Sequence, residues 1–418
     1  MKGKDVMNKN RKHWVVLVIC CGLSASSIGI CVNAAGVFYA PVAQSLGVLR
    51  GTIALQTTFT LLSMSIISLF VPKIMRKYRF RNLLWVHVII AGLTTIAMAL
   101  SKNIVIFQLL GFIRGFSAGL FAVVPLTIII NHWFDKHHGL ATSIVLSFSG
   151  VAGAILSPVF AACIESIGWE ATYVVVGVIF ILLCLPALVI PFSVSPRDEG
   201  LLPYGFIEKE EDANNIVQDH RSFNFLQVSF VCFFAFSILH TAITGITQHL
   251  PGFAETMQYS ASIGAMLLSA GMLGNIFYKL LIGVISDRLG PLPASIIMIV
   301  INVVSIILIL LWPTNTGILL FSGFLFGSVY SVAGVGTALL TKQFFGNENY
   351  IHVYPVVSFA TGLGGAFSIT LVGYIFDFFN SYTYAFIIAL FIHAINVILL
   401  FIIISVMRKK SATIIGQS

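Results

Sequence analysis

Apolar stretches about as long as a bilayer is thick, separated by short polar or basic clusters, set the pattern of this chain. A helix needs about 20 predominantly apolar residues to cross the hydrocarbon core. Twelve stretches meet that length. They fall at 14–39, 51–73, 83–101, 104–131, 138–165 and 169–193, then at 223–250, 260–282, 291–312, 316–341, 350–377 and 382–406. The one long polar segment between them, Ser193 to Ser222, carries Pro196, Pro203 and the acidic run Glu208 to Asp212, and has no long apolar period. It reads as a linker. The expected architecture is an all-α membrane protein of twelve transmembrane helices. Two six-helix bundles with pseudo-symmetry, 1–193 and 223–418, are joined by a cytoplasmic linker at 194–222.

Landmarks in the first half return in the second. Pro41 is matched by Pro251, Trp133-Phe134 by Phe344-Phe345, Glu165 by Asp377 and Tyr173 by Phe386, each about 210 residues later. Parallel six-helix repeats, related by an axis along the membrane normal, place a substrate site between the halves near the midplane.

Composition agrees with lipid as the main solvent. Of 418 residues, 58% are hydrophobic and 9% charged, against about 25% charged in soluble domains. The net charge of +8 does not point to nucleic acid, because the basic residues form short clusters between apolar runs. Lys2, Lys4, Lys9, Arg11 and Lys12, then Lys73, Arg76, Lys77, Arg79 and Arg81, then Lys136, Arg288, Lys342, Arg408, Lys409 and Lys410 mark one side; Arg50 and Lys102 mark the other. The positive-inside rule puts both termini in the cytoplasm of a multi-pass cell-membrane protein. The first apolar run, at about 25 residues, exceeds a signal peptide and reads as an uncleaved span. Cys20, Cys21, Cys31, Cys163, Cys184 and Cys232 all lie in apolar runs without C-x-x-C spacing, so no disulfide framework or zinc site is implied. No metal cluster, cofactor motif or nucleophile–base pair stands out, so no enzyme is expected. A monomer is the expected unit.

Lys279 is the outstanding chemical feature. It lies eight residues before Asp287, about 12 Å along a helix, and so well inside the bilayer core, where charge is costly and usually functional. No carboxylate falls in the middle of any run. The missing partner is then an anionic substrate; snorkelling to the inner surface or bonding to helix-end carbonyls would be the bland readings. Arg114 lies roughly 15 Å into the fourth run and suits a carboxylate or a cluster of carbonyls. Asn275, one turn before Lys279, shares its face. Asn33, flanked by Ala34, Ala35 and Gly36, and His240, mid-run, complete the candidate substrate site. His240 could instead be a satisfied hydrogen-bonder or carry a proton, and His393 is a weaker candidate of the same kind. Gly111, Gly115 and Gly119 form a small-residue face for close helix contact.

The stretch Gly283-Val-Ile-Ser-Asp287-Arg288-Leu-Gly290 resembles the cytoplasmic loop motif of major facilitator superfamily transporters, and Arg114-x-x-x-x-Gly119 resembles their second motif. The resemblance covers nearly the whole chain. The first-half copy of the loop motif, Lys73 to Arg81, is basic but lacks the glycine and the aspartate. Asn275-x-x-x-Lys279-x-x-x-Gly283, with Asn131-His-Trp-Phe134 to Gly139-Leu-Ala141, resembles the oxalate:formate antiporter and monocarboxylate transporter group. Lysine replaces the arginine usual in that group, and the eleventh run lacks the second cation of the oxalate:formate antiporters. The resemblance therefore implies alternating-access transport of a small organic anion, a monocarboxylate in preference to a dianion, by exchange or with protons. It also implies a conformational gate at Gly283, Asp287 and Arg288. A multidrug exporter of the same fold would normally need an intramembrane acid. A non-transporting membrane sensor would need an added soluble domain.

Overall fold

The structure, a computed structural model, describes residues 2–48, 50–206 and 223–415. The acidic run Glu208 to Asp212 lies outside the described residues, as do the side chains of Arg50, Pro251, Glu255 and Asp377 and those of the basic residues at 2–9 and 409–410. Among the described residues the protein is helical, with one isolated bridge between Phe134 and Tyr204.

Ten helices are long and apolar enough to cross a membrane. Spans 1 and 3–9 are Arg11–Phe38, Phe80–Met98, Ile104–Trp133, His138–Ser157, Ala162–Val189, Val228–Leu250, Met266–Leu289 and Pro291–Leu311. Span 2 is a pair, Leu55–Ser68 and Val71–Lys77, bent by 58°. Thr316–Phe376 runs for 61 residues, about 90 Å of helix, three times the thickness of the hydrocarbon core. It turns back at Gly346, whose φ of 79° a side chain would strain, and so supplies spans 10 and 11. Span 12 is Thr383–Arg408. Spans 5 and 6 join in the same way at Gly168, φ 81°. The described residues thus hold the twelve crossings that the hydrophobic pattern predicts.

The pattern did not predict that, besides the bend in span 2, four spans are broken partway along their length. Span 1 passes from α-helix to a π-helix at Ala25–Asn33 and a 3-10 turn at Ala35–Phe38. Span 4 breaks between Gly119 and Val123, and span 7 between Ala242 and Gly245. Span 10 breaks after Phe326 and continues as a π-helix at Val332–Gly336. Spans 1 and 7, like spans 4 and 10, are counterparts in the repeat, so each pair is interrupted at corresponding depth.

Small residues bring the spans together. A Cβ on Gly274 would stand 2.9 Å from the Phe324 carbonyl carbon and 3.2 Å from Gly327 Cα, so spans 8 and 10 meet backbone to backbone. A Cβ on Gly283 would stand 2.7 Å from Gly139 O, and one on Gly150 3.0 Å from Ile276, which sets spans 5 and 8 equally close.

The first part of the segment read as a linker is docked beneath spans 1 and 4. Trp133 Nε1 donates to Ser193 O at 3.0 Å, Tyr204 N to Trp133 O at 2.8 Å, and His13 Nε2 to Leu202 O at 2.9 Å. Lys12 pairs with Glu199, and Trp14 and Phe134 pack edge-on or tilted against Tyr204. Apart from the Lys12–Glu199 pair, the tethers come from aromatic and backbone groups, which a composition scan for polar, proline-containing sequence does not register.

Gly274→Val should force spans 8 and 10 apart and destabilise the fold by about 1–3 kcal/mol, the usual cost of overpacking. Gly36→Ala, whose Cβ would meet nothing nearer than 3.7 Å, should be neutral. Thermal melts of the two purified variants check this.

Candidate functional site

The four breaks surround a cavity of about 220 Å³. Span 1 lines it with Ile28, Val32 and Asn33 from its π-helical stretch, and span 10 with Ala333 and Gly334 from its own. Gly119 and Ala122 of span 4 and Thr241 and Thr244 of span 7 flank the other two breaks. A wide or irregular turn moves backbone away from the axis of the bundle, which leaves room for a solute.

Three residues named from the sequence meet at this cavity: Lys279, Asn275 and Asn33. Lys279 is 7% exposed. Its ammonium reaches from span 8 to span 5 and donates to Leu146 O and Ser149 Oγ, each at 3.3 Å. Asn33 Nδ2 donates to Ser149 O at 2.9 Å. Ser149 therefore stands between the asparagine and the lysine. Asn275 is 1% exposed, and its Oδ1 has no hydrogen-bond partner. A buried amide oxygen left unpaired is unusual and costly, and a donor on a ligand or a water would complete it.

The other two are elsewhere. Arg114 is 3% exposed and does not line the cavity. Its Nη2 donates to Cys31 O at 3.2 Å, inside the π-helical stretch of span 1. His240, fully buried, donates from Nε2 to Val329 O at 3.1 Å, at the break in span 10. Each brings a buried side-chain donor to a carbonyl beside a helix break; Val329 O also takes the Val332 main-chain N–H. Breaking a helix leaves carbonyls without their usual N–H partner, and hydrocarbon offers no water to replace it. Asn302 Nδ2 donates to Phe326 O at 2.9 Å, and the Tyr330 hydroxyl reaches Thr244 O at 3.4 Å, beside the Thr247 main-chain N–H at 3.1 Å.

Sequence reasoning missed Ser149, Gln248 and Tyr330, and with them the polar stripe of span 7, Thr241-x-x-Thr244-x-x-x-Gln248, which lines the cavity on both sides of the break. The stripe was visible as a period of three to four residues. Its signal is weak, because Ser and Thr in a membrane helix can return their hydroxyl bond to the preceding turn, as Thr241 does to Ser237 O at 2.8 Å.

At the basic end of the bundle, Asp287 lies at the mouth of span 8 against the N-terminus of span 5. Its Oδ1 accepts from Gly139 N at 3.0 Å and its Oδ2 from Leu140 N at 3.1 Å. A carboxylate there meets free N–H groups and the positive end of the helix dipole. Gly283 permits the approach, and Arg288 is exposed. Two further bonds join the same ends: Asn131 Nδ2 to Asn347 Oδ1 at 2.9 Å, and Ser68 Oγ to Pro355 O at 3.2 Å. On the other side of the cavity Thr58 Oγ1 reaches Ala366 O at 3.3 Å.

Known proteins resemble this chain in sequence and in fold. The chain is 23% identical over 357 residues to an uncharacterized MFS-type transporter, YcxA, of Bacillus subtilis, which covers 82% of this chain and 84% of that one. It is 24% identical over 234 residues, half of each chain, to a protein of Chlamydia trachomatis named "Probable hexose phosphate transport protein". The fold matches that of the proton:xylose symporter XylE, bound to 6-bromo-6-deoxy-D-glucose, with a TM-score of 0.71 at 12% identity over 94% of this chain and 95% of that one. It also matches the Escherichia coli fucose:proton symporter FucP, with a TM-score of 0.63 at 13% identity over 94% and 99%. The family model described as Major Facilitator Superfamily matches residues 17–293 and 232–417, and on that match the chain belongs to this superfamily of secondary transporters.

Proposed function

We propose that the protein moves a small organic anion, a monocarboxylate, across the cell membrane by alternating access, in exchange for another anion or together with a proton. The observation that carries this reading is Lys279: a buried ammonium at the wall of a mid-membrane cavity, with a carbonyl and a hydroxyl for partners and no carboxylate. A buried cation without a counter-ion favours an anion. The cavity, about 220 Å³, is small beside the roughly 300–1,000 Å³ of sites for drug-sized ligands. The relative named for hexose phosphate also suggests an anion, but a phosphate monoester carries about −1.5 to −2 at neutral pH. One lysine lines the cavity, and Arg114 is engaged at Cys31, which favours a single negative charge.

On this reading the halves 1–193 and 223–418 rock about the cavity, the 194–222 linker and both termini face the cytoplasm, and Gly283, Asp287 and Arg288 form the cytoplasmic gate. Asp287 holds it shut by capping span 5. The distribution of basic residues supports that orientation.

Proteoliposome uptake of labelled formate, lactate, pyruvate, oxalate and glucose 6-phosphate tests the substrate class. A monocarboxylate should be taken up, and Lys279→Ala should lower uptake at sub-saturating concentration by about ten- to a hundred-fold, the worth of a hydrogen bond to a charged group. Monocarboxylate uptake indifferent to that change would refute the site; transport of glucose 6-phosphate alone would move the reading to a sugar phosphate.

Asp287→Ala should weaken the closed gate by about 1–3 kcal/mol through two lost charge-assisted bonds. Spin labels at positions 136 and 289 should then report a larger fraction of long distances. An unchanged distance distribution would remove Asp287 from the gate.

A further inference from the structure

Two histidines in the C-terminal half are left with a lone pair each. His240 of span 7 and His393 of span 12 are 0% and 1% exposed, with ring centroids 5.7 Å apart. His240 Nε2 faces Val329 O, which can only accept, so the proton of that ring sits on Nε2. His393 Nε2 meets Asn302 Oδ1 at 2.8 Å, while the amide nitrogen of Asn302 is given to Phe326 O. That ring too carries its proton on Nε2. Both Nδ1 atoms are therefore bare acceptors, and both are buried without a hydrogen-bond partner. Asn396, one turn after His393 and fully buried, adds two more unpartnered polar atoms. Native interiors rarely leave such buried atoms unpaired unless water or an ion completes them.

The pair offers two basic nitrogens to a proton and no site for a metal. Phe236 stacks on His240 with centroids 5.6 Å apart, and an aromatic face favours a cation over it. No cluster of His, Cys, Asp or Glu able to hold a metal occurs among the described residues. Of the elements packed on span 7, span 12 contributes His393 and span 10 contributes Tyr330, whose hydroxyl goes to Thr244 O. Span 9, beside His393, contributes the neutral Asn302. Span 11 carries Tyr350 and Tyr354, both bonded to the Thr127 side chain, and the exposed His352. Two imidazolium rings at this distance would repel each other, so the pair takes a single proton.

We propose that His240 and His393 form a buried proton-binding site, behind the wall of the cavity, that carries the coupling proton of transport. A proton enters from water on one side, adds to Nδ1 of one ring to give one imidazolium, and leaves to water on the other side; no other bond changes. The site reaches the cavity through two chain neighbours: Thr241 follows His240, Tyr330 follows Val329, and both line the cavity. A charge on the His240 ring strengthens its bond to Val329 O, which tightens span 10 at its break. Proton occupancy and the shape of the cavity are thereby linked. The inference rests on the transporter family and not on the identity of the anion.

The proton itself is the probe. Full-length protein with 15N-labelled histidine in nanodiscs is titrated by NMR from about pH 8 to about pH 5, with His240→Gln and His393→Gln for assignment. Glutamine keeps an Nε2 donor but has no basic nitrogen. At high pH both rings should show a bare Nδ1. As pH falls the pair should take up one proton in total, and loss of either ring should displace the midpoint of the other by about 1 pH unit, the mark of coupled sites. Both Nδ1 atoms staying bare throughout would overturn the proposal. So would two independent titrations, each indifferent to removal of the other ring. If a glutamine variant does not fold, the proton count in wild type, assigned through contacts to Val329 and Asn302, decides between these outcomes.

Discussion

Hydrocarbon offers no hydrogen bonds, so each peptide group at the level of the cavity must find a partner inside the protein. A continuous helix meets that demand by itself but leaves no room for a solute. The breaks in spans 1, 4, 7 and 10 open the space, and beside three of them, in spans 1, 7 and 10, a side chain donates to a main-chain carbonyl. Arg114 serves Cys31, His240 serves Val329, Asn302 serves Phe326 and Tyr330 serves Thr244. These side chains are polar groups held at the level of the cavity by main-chain carbonyls.

The same constraint separates two kinds of intramembrane cation that look alike in a sequence. Arg114 and Lys279 are both charged residues near the midplane, and both bond to carbonyls. Arg114 bonds within its own half, to a helix opened by a π-turn. Lys279 bonds across the two halves, to Leu146 O and the Ser149 hydroxyl. Leu146 O already takes the Ser149 hydroxyl at 2.7 Å within span 5, so the lysine is a second donor there and not the answer to an orphan.

The fold was legible because its signals are long. Twelve apolar runs, a basic side and a polar middle segment survive errors of several residues. Lys279, Asn275 and Asn33 were legible as polar residues in apolar surroundings, and they do meet at the cavity. The breaks were not legible. A π-turn needs no signature residue: Ala25 to Asn33 contains small and β-branched residues common in any membrane helix, and the choice between i→i+4 and i→i+5 bonding is made by neighbours far away in sequence. For Arg114 and His240 the sequence leaves a solute and a carbonyl partner equally open, because helical spacing gives depth but not azimuth. Their true partners, Cys31 and Val329, lie on other spans, where only the tertiary structure brings them near. Ser149 was hidden for a related reason, since one serine among many on span 5 becomes distinctive only between Asn33 and Lys279.

Span 8 concentrates these relations. Over about 12 Å it carries a cation that bonds to the middle of span 5 and a carboxylate that caps the start of span 5, with Gly283 between them where the backbones nearly touch. In the proposed cycle an anion entering the cavity competes for the ammonium with Leu146 O and Ser149 Oγ. Those bonds, at 3.3 Å each, are long for charge-assisted ones, so the exchange gives up little. Asp287 is then the stronger of the two tethers, with two bonds to main-chain N–H groups at a helix N-terminus. A solute that loosens the upper contact while the lower one holds would let the halves pivot about the Asp287 end. Release of the lower contact would then turn the cavity toward the cytoplasm. The order of these events follows from the unequal strength of two contacts on one helix, and it needs no moving part beyond the rocking of two packed halves.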